Sequence, residues 1–346
     1  MLRRTLLSGS LAASVLPALS SVGYAKDRVT AVMSTFGFVY LPVLVAERFG
    51  YYEAENIAID IVTTGGESKS LAALIGGGAE LYVGSPSTTF RARSNGTDAL
   101  VIGPTISQYA SNLVVSGAWA GKQGITEASP YEAKLKALKG STIAITAPGS
   151  GTDLVVRFLA KEAGLNPDRD LTITALGTGD AMTAALVQGR IDGFTLSAPA
   201  AENAVKNHGG IMLFNFAKGE VKRLDGFLYI GLTAREAWVR SNPDLTVRLL
   251  KAQQRALDAI HDPDLTAKAR DAVWQKYHPK TDKSFFDYVW AETAPAFPKS
   301  VVIGRPAIDR VVQFVNEFEK QPLEPAVVEK GWTDEYARKA LAALGR

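Results

Sequence analysis

The chain carries one stretch twice, first as AALIGGGAELY at residues 72–82 and again as AALVQGRIDGF at residues 184–194. The match extends upstream, since residues 46–51 correspond to 160–165 and residues 57–66 to 171–180, with a two-residue gap. A period of about a hundred residues is too long for a solenoid, whose repeats span roughly 20–50 residues. We therefore expect two similar domains that face each other, with a ligand cleft between them.

The composition is that of a globular protein, with 47% hydrophobic and 21% charged residues in a chain of 346. Residues 1–25 predict a cleaved signal peptide, because Arg3-Arg4 precede an apolar segment and Gly23-Tyr24-Ala25 has the small residues of a cleavage site. The sequence has no cysteine, hence no disulfide and no lipid-anchoring cysteine. We expect a soluble, exported periplasmic protein without a lipid anchor.

Strand and helix patterns alternate in both halves, which is typical of mainly parallel sheets flanked by helices. The predicted strands are 29–33, 57–62, 82–83 and 99–102 in the first unit, and 142–146, 171–175 and 191–195 in the second. Residues 113–115 are a predicted crossing strand, and residues 227–232 a return strand. The prediction is an α/β fold whose first lobe is discontinuous (26–113 and 228–346, ending in helices) and whose second lobe covers 114–227.

Candidate ligand-binding residues lie in the turns between strands and helices, where helix N-termini present unpaired N–H groups. The same hydroxyls and glycines are also typical helix caps, and capping alone would explain the presence of any one of them. The predicted ligand-binding set is Thr35, Phe36, Tyr40, Gly66, Glu67, Ser68, Ser85, Ser87, Ser150, Gly151, Thr152, Thr178, Asp180 and Ser197.

The order of several loose motifs resembles one known family. These motifs are residues 50–55 (GYYEAE) before a strand and Gly65-Gly66, residues 74–80, and residues 138–144 leading to Pro148-Gly149-Ser150. The chain resembles the type II periplasmic solute-binding proteins of ABC importers, in the group with sulfonate, taurine, nitrate and thiamine-precursor receptors. The resemblance implies capture of a small solute by closure of two lobes, and delivery to a membrane permease driven by a separate ATPase.

The ligand class stays open at this stage between a small organic or inorganic anion and a planar heterocycle of the pyrimidine type. Hydroxyls and helix N-termini suit an anion, but arginine and lysine are scarce in the candidate turns. Acidic residues lie near them instead, and buried carboxylates favour a ligand with N–H donors. Phe36 could stack on a planar ring, although packing of its own lobe explains it equally well.

Two other functions compete with solute delivery. The resemblance also extends to a thiamine-pyrimidine synthase and a deaminase of this architecture, but those enzymes depend on cysteine, and no other catalytic motif is present. The three histidines lack metal-ligand spacing, so we expect surface or cap positions for them, no metal and no cofactor. A ligand-sensing domain for a signalling partner is the second alternative. Without residues 1–25 the net charge is 36 − 35 = +1, so we expect no nucleic-acid partner and a monomer.

Overall fold

The protein is described by a computed structural model over residues 25–318 and 321–346. The predicted signal peptide therefore lies outside the described residues, except for Ala25. The strands are β1 (Asp27–Met33), β2 (Ile57–Thr63), β3 (Leu81–Gly84), β4 (Ala99–Ile106), β5 (Ser111–Ser116), β6 (Thr142–Ile145), β7 (Thr172–Ala175), β8 (Gly193–Ser197), β9 (Gly210–Phe214) and β10 (Ile230–Arg235).

Helices connect and follow these strands. They are α1 (Leu41–Arg48), α2 (Tyr51–Ala54), α3 (Glu67–Ile75), α4 (Pro86–Ser94), α5 (Gly117–Gln123), α6 (Tyr131–Ala137), α7 (Gly151–Glu162), α8 (Gly179–Val187), α9 (Ala200–His208), α10 (Glu236–Ser241), α11 (Pro243–His261), α12 (Thr266–Tyr277), α13 (Lys283–Thr293), α14 (Arg305–Phe318), α15 (Pro325–Lys330) and α16 (Glu335–Ala343). Short 3-10 helices cover Phe38–Tyr40, Lys222–Leu224 and Ala294–Ala296.

The strands form two five-stranded sheets with one plan, ordered β2-β1-β3-β10-β4 and β7-β6-β8-β5-β9. The pairs around β1 and β6 are parallel, whereas β10 and β5 run antiparallel to both of their neighbours. The chain passes from β4 into the second sheet at β5 and returns from β9 to β10. The predicted pair of α/β lobes is confirmed, with one antiparallel strand in each sheet.

The repeated stretch builds the same unit in each lobe. Helix α3 with β3 and helix α8 with β8 each bury a small apolar cluster, and repeat-related positions are buried in both: Leu74, Ala79 and Tyr82, against Leu186, Ile191 and Phe194. The acid that precedes the strand also has the same role twice. The Thr30 amide donates to the Glu80 carboxylate at 2.7 Å, and the Thr142 amide to the Asp192 carboxylate at 2.8 Å.

The C-terminal helices pack on the first lobe. Helix α11 contacts α1, α2 and α16, and it buries Leu249, Ala252, Ala256 and Leu257 along one face at helical spacing. Burial of this apolar stripe is what holds an otherwise polar 19-residue helix in place. The predicted lobe boundaries at 113/114 and 227/228 stay a prediction; strand β5 begins at Ser111 and β10 at Ile230.

Two predicted strands are shifted along the chain in the structure, and one strand has no prediction. The return strand lies at Ile230–Arg235 rather than 227–232, because Phe227 is buried among aromatic rings of the crossing segment, 5.2 Å from Tyr109 between ring centroids. Strand β8 covers Gly193–Ser197 rather than 191–195. Strand β9 at Gly210–Phe214 has no sequence prediction, since a short apolar run after a glycine is ambiguous. Among the described residues, no helix has the length and apolar character needed to cross a membrane.

Candidate functional site

The two lobes meet through the loops that follow their parallel strands. The Phe38 amide, after β1, donates to the Ala198 carbonyl, after β8, at 2.6 Å. Gly65 and Gly177 are also close: a Cβ at residue 177 would lie 2.6 Å from the Gly65 carbonyl oxygen. Ligands of open α/β sheets bind at these carboxyl ends of strands. The candidate site therefore lies between lobes that are in direct contact.

A chamber of about 700 Å³ opens between these loops. Five predicted residues line it: Thr35 and Phe36 from the first lobe, and Thr178, Asp180 and Ser197 from the second. Thr178 and Asp180 are exposed and mark the mouth, whereas Ser197 is buried. The Phe36 ring lies 4.8 Å from the Tyr277 ring, at an angle of 40°. The chamber thus combines one aromatic wall with hydroxyls and a carboxylate.

Behind the chamber lies a second, much smaller cavity of about 20 Å³. It shares Ser34, Thr35, Leu196 and Ser197 with the chamber. Three further predicted residues, Tyr40, Glu67 and Thr152, line it together with the unpredicted Ser34, Ser111, Thr146 and Tyr229. One buried water needs roughly 10–15 Å³ of such space. The inner cavity therefore has room for a single water and excludes a multi-atom solute.

Hydroxyl groups in this inner region bond to one another. Ser150 caps α7 by accepting the Asp153 amide at 3.3 Å, and its hydroxyl lies 2.8 Å from that of Thr152. Thr152 in turn accepts the Thr146 amide at 2.9 Å. The Tyr40 hydroxyl is 2.7 Å from Ser34, and burial raises the pKa of this phenol. Thr146, Ser150 and Thr152 thus bond to one another and hold the turn after β6, while Ser34 and Tyr40 pair in the segment after β1.

Glu67 is a buried carboxylate that connects the two lobes. One of its oxygens accepts the Tyr82 hydroxyl at 2.5 Å and the Ser85 amide at 2.6 Å, both within the first lobe. The other oxygen accepts the Gly151 amide of the second lobe at 3.0 Å. Burial raises the pKa of this carboxyl, and these hydrogen bonds oppose the shift. Each lobe thus donates a backbone amide to this one carboxyl group.

Six predicted residues line neither cavity: Gly66, Ser68, Ser85, Ser87, Ser150 and Gly151. Ser68 is exposed on α3, because the second residue of the helix turns away from the cleft. The hydroxyls of Ser85 and Ser87 are buried without a hydrogen-bond partner. Gly151 contributes its amide to Glu67, and its missing side chain leaves room for Tyr229, whose ring lies 2.7 Å from where a Cβ would be. Ligand contact by any of the fourteen stays a prediction.

The sequence reasoning missed the part of the chamber wall that comes from the C-terminal half. His278, Lys280 and Asp282, between α12 and α13, line the chamber. The expectation that His278 is a surface or cap residue is half right: it follows the last residue of α12, but its Nε2 is buried without a partner. Burial lowers the pKa of His278 to about 4. No local signal could identify these residues, which lie about 80–240 positions from the rest of the wall.

A wider groove of about 820 Å³ is lined mainly by α7 and the loop that follows it, with Arg91 and Gln321 from the first lobe. Arg157 lines this groove and bonds Asp153 at 2.9 Å and Asp168 at 2.6 Å. The groove reaches the turn after β6 at Gly149, whereas the chamber is lined by the turns after β1, β2, β7 and β8, so we place the site in the chamber. Over residues 25–318 and 321–346, no group of three or more histidines and acids has a geometry that could hold a metal ion.

Residues 35–273 match the model of the NMT1-like family. Among curated relatives, the putative binding protein YtlA of Bacillus subtilis is 21% identical over 70% of each chain. The chain spans less than half the length of two further relatives, the Synechocystis ATP-binding proteins of bicarbonate and nitrate import (41% and 34%).

Solved structures share the fold over nearly the whole chain. The periplasmic nitrate-binding protein NrtA from Synechocystis superposes with a TM-score of 0.73 at 14% identity, covering 92% of this chain and 89% of that one. The alkanesulfonate-binding protein SsuA from Xanthomonas axonopodis, bound to MOPS, gives 0.69 at 18% identity, covering 90% and 98%. Both neighbours are named as binding proteins, and at these identities the likeness shows a shared fold.

Proposed function

Since this chain belongs to the NMT1-like family, we propose that it is the extracytoplasmic solute-binding receptor of an ABC importer. It captures a small solute by lobe closure and delivers it to a membrane permease that a separate ATPase drives. The observation that carries this proposal is the chamber between two contacting lobes, lined by loops from both. The relatives named for bicarbonate and nitrate import support the class of partner. The signal-like N-terminus supports export to the periplasm.

Of the two ligand classes that the sequence leaves open, the chamber suits the planar heterocycle better. Its charged wall residues are Asp180, Asp282 and Lys280, while His278 is neutral at physiological pH because its pKa is about 4. The wall thus has a net negative charge, which opposes a small inorganic anion. Carboxylates accept hydrogen bonds from ring N–H and amino groups, and the Phe36 ring offers a surface for stacking.

A thermal-shift screen of the purified protein tests this assignment. The panel contains pyrimidines, aromatic carboxylates, amino compounds, nitrate and alkanesulfonates. A solute at a hundred times its Kd adds about 2.7 kcal/mol to the free energy of unfolding, so a match gives a clear rise in Tm. We expect the rise with a nitrogen heterocycle. A rise in Tm with nitrate or a sulfonate alone would contradict the proposed ligand class but not the proposed receptor function. Mass spectrometry of the denatured protein would detect a solute that co-purifies.

Alanine substitutions of Phe36 and Phe49 form a matched pair that tests whether the solute binds in the chamber. Phe36→Ala removes the aromatic wall and should weaken binding of the screened solute about tenfold, since an aromatic stacking pair contributes about 0.5–1.5 kcal/mol beyond its buried area. Phe49 is similarly half-buried and lies 5.5 Å from the Tyr51 ring, but it does not line the chamber. Phe49→Ala should leave the affinity unchanged in calorimetry. Equal losses in both variants would place the solute elsewhere.

A further inference from the structure

Glu67 lies at the N-termini of two helices from different lobes. Its carboxylate accepts the Ser85 amide, at the N-cap of α4, and the Gly151 amide, at the first residue of α7. The two helices have nine and twelve residues. Helix N-termini carry partial positive charge and unpaired N–H groups, and they stabilise anions for both reasons. The paired N-termini are therefore an anion-binding position, and a side chain of the protein occupies it.

The surroundings of the carboxylate leave no place for a second anion. Glu67 is 7% exposed, and the cavity beside it measures only about 20 Å³. Tyr82 and Thr88 supply two more donors to the same carboxylate, at 2.5 and 3.4 Å. A carboxylate that receives donors on both oxygens in a buried site is a strong hydrogen-bond acceptor. A solute anion could reach these helix ends only by displacing Glu67.

The second lobe has a glycine at the place that Glu67 occupies in the first lobe. The residue that opens α8 is Gly179, where Glu67 opens α3, and the two helices are each nine residues long. Gly179 has no side chain and lines the 700 Å³ chamber. The chamber thus reaches Gly179 in the second lobe, whereas the corresponding residue of the first lobe, Glu67, lines the inner cavity and extends its carboxylate to the N-termini of α4 and α7.

We propose that Glu67 is a specificity-determining residue, an internal anion that bridges the lobes on closure and bars anionic groups of the solute from the N-termini of α4 and α7. This inference rests on the proposed function and narrows it. The solute is recognised in the chamber by acceptors and by the aromatic wall, and closure is completed by the protein's own carboxylate.

Rescue by a small anion tests the proposal without knowledge of the solute. Glu67→Ala vacates the position, so sodium formate at 100 mM should raise the Tm of this variant by about 2–4 °C over sodium chloride at the same concentration. The wild-type protein should gain less than about 1 °C, because its own carboxylate fills the site. Nitrate should act on the variant as formate does. A folded E67A protein that responds to formate no more than the wild type would overturn the proposal.

Controls separate this effect from general loss of a carboxylate. Glu80→Ala also removes a carboxylate that accepts a backbone amide, that of Thr30 at 2.7 Å, but outside the cleft, and it should show no formate rescue. Rescue of E80A to the same extent would refute the assignment. If E67A does not fold, Glu67→Ser carries the same test. Failure of the screen to find any solute would count against the receptor function, whereas failure of formate rescue would count only against the role of Glu67.

Discussion

The turns Gly65-Gly66-Glu67 and Gly177-Thr178-Gly179 occupy corresponding places in the two lobes and differ in chemistry. Each begins with a glycine at positive φ, 73° and 79°, and each leads into a nine-residue helix. In the second lobe Thr178 caps its helix by accepting the Ala181 amide at 3.3 Å. In the first lobe Gly66 offers no cap, and the acid beside it reaches the other lobe. The two turns thus meet at Gly65 and Gly177, and the first turn also sends a carboxylate to the other lobe.

The largest expected difference between the lobes is the change in solute affinity when alanine replaces Gly177 or Gly65, the two glycines with positive φ in these turns. Both resist a side chain because left-handed backbone costs an alanine about 1–2 kcal/mol. Only Gly177 also meets the opposite lobe, since a Cβ there lies 2.6 Å from the Gly65 carbonyl oxygen, whereas a Cβ at Gly65 lies 3.8 Å from Thr178. Gly177→Ala should therefore oppose closure and weaken solute affinity about tenfold to a hundredfold, as overpacking costs about 1–3 kcal/mol.

Gly65→Ala is the matched control, with a similar loss of Tm and a small change in affinity. Calorimetry with the solute from the screen, and small-angle scattering of both variants, measure the two effects. If both variants lose affinity equally, the contact between the two turns does not limit closure.

The helices after β3 and β8 differ in their third residue, which is Thr88 in α4 and Glu202 in α9. Burial raises the pKa of Glu202 from 4.5 to about 7, although Asn112 donates to it at 2.8 Å. The folded state therefore binds this proton more tightly than the unfolded chain. The free energy of unfolding should fall as the pH rises from about 4.5 to about 7, by about 2 kcal/mol.

Glu202→Gln should remove that part of the pH dependence. Chemical denaturation at pH 5 and pH 8 measures it as the difference between the two proteins, so that other titrating groups, such as His278, cancel. An identical pH dependence in both proteins would mean that Glu202 titrates as it does in the unfolded chain.

The smallest expected difference is in the free energy of unfolding lost when Glu80 or Asp192 is replaced, because the contacts of these two acids are alike. Each acid accepts an amide from the corresponding strand of its sheet, Thr30 in β1 at 2.7 Å and Thr142 in β6 at 2.8 Å. Replacing either with alanine leaves a half-buried amide without its charged partner, which costs about 1 kcal/mol. We expect the two losses to agree within about 0.5 kcal/mol in denaturant titrations. A large difference between the two losses would show that these contacts contribute differently to stability although they correspond in the sequence repeat.

The sequence predicts the repeated unit because the repeat is local. Strand alternation, helical spacing and glycine turns recur over short stretches, so most strands and the long helix α11 were predictable within a few residues. Five of the fourteen predicted site residues line the chamber for the same reason: they follow strands whose ends must face one edge of a sheet.

The sequence by itself therefore determined two α/β lobes, the crossing of the chain between them, and the turns that face the cleft. Tertiary structure alone decided which turns touch the chamber and which touch each other. Glu67 meets an amide 84 positions away, and His278 enters the wall from a helical segment with no motif. These contacts depend on how the two lobes pack against each other. Hydrophobic periodicity spans only a few residues, so it contains no information about that packing.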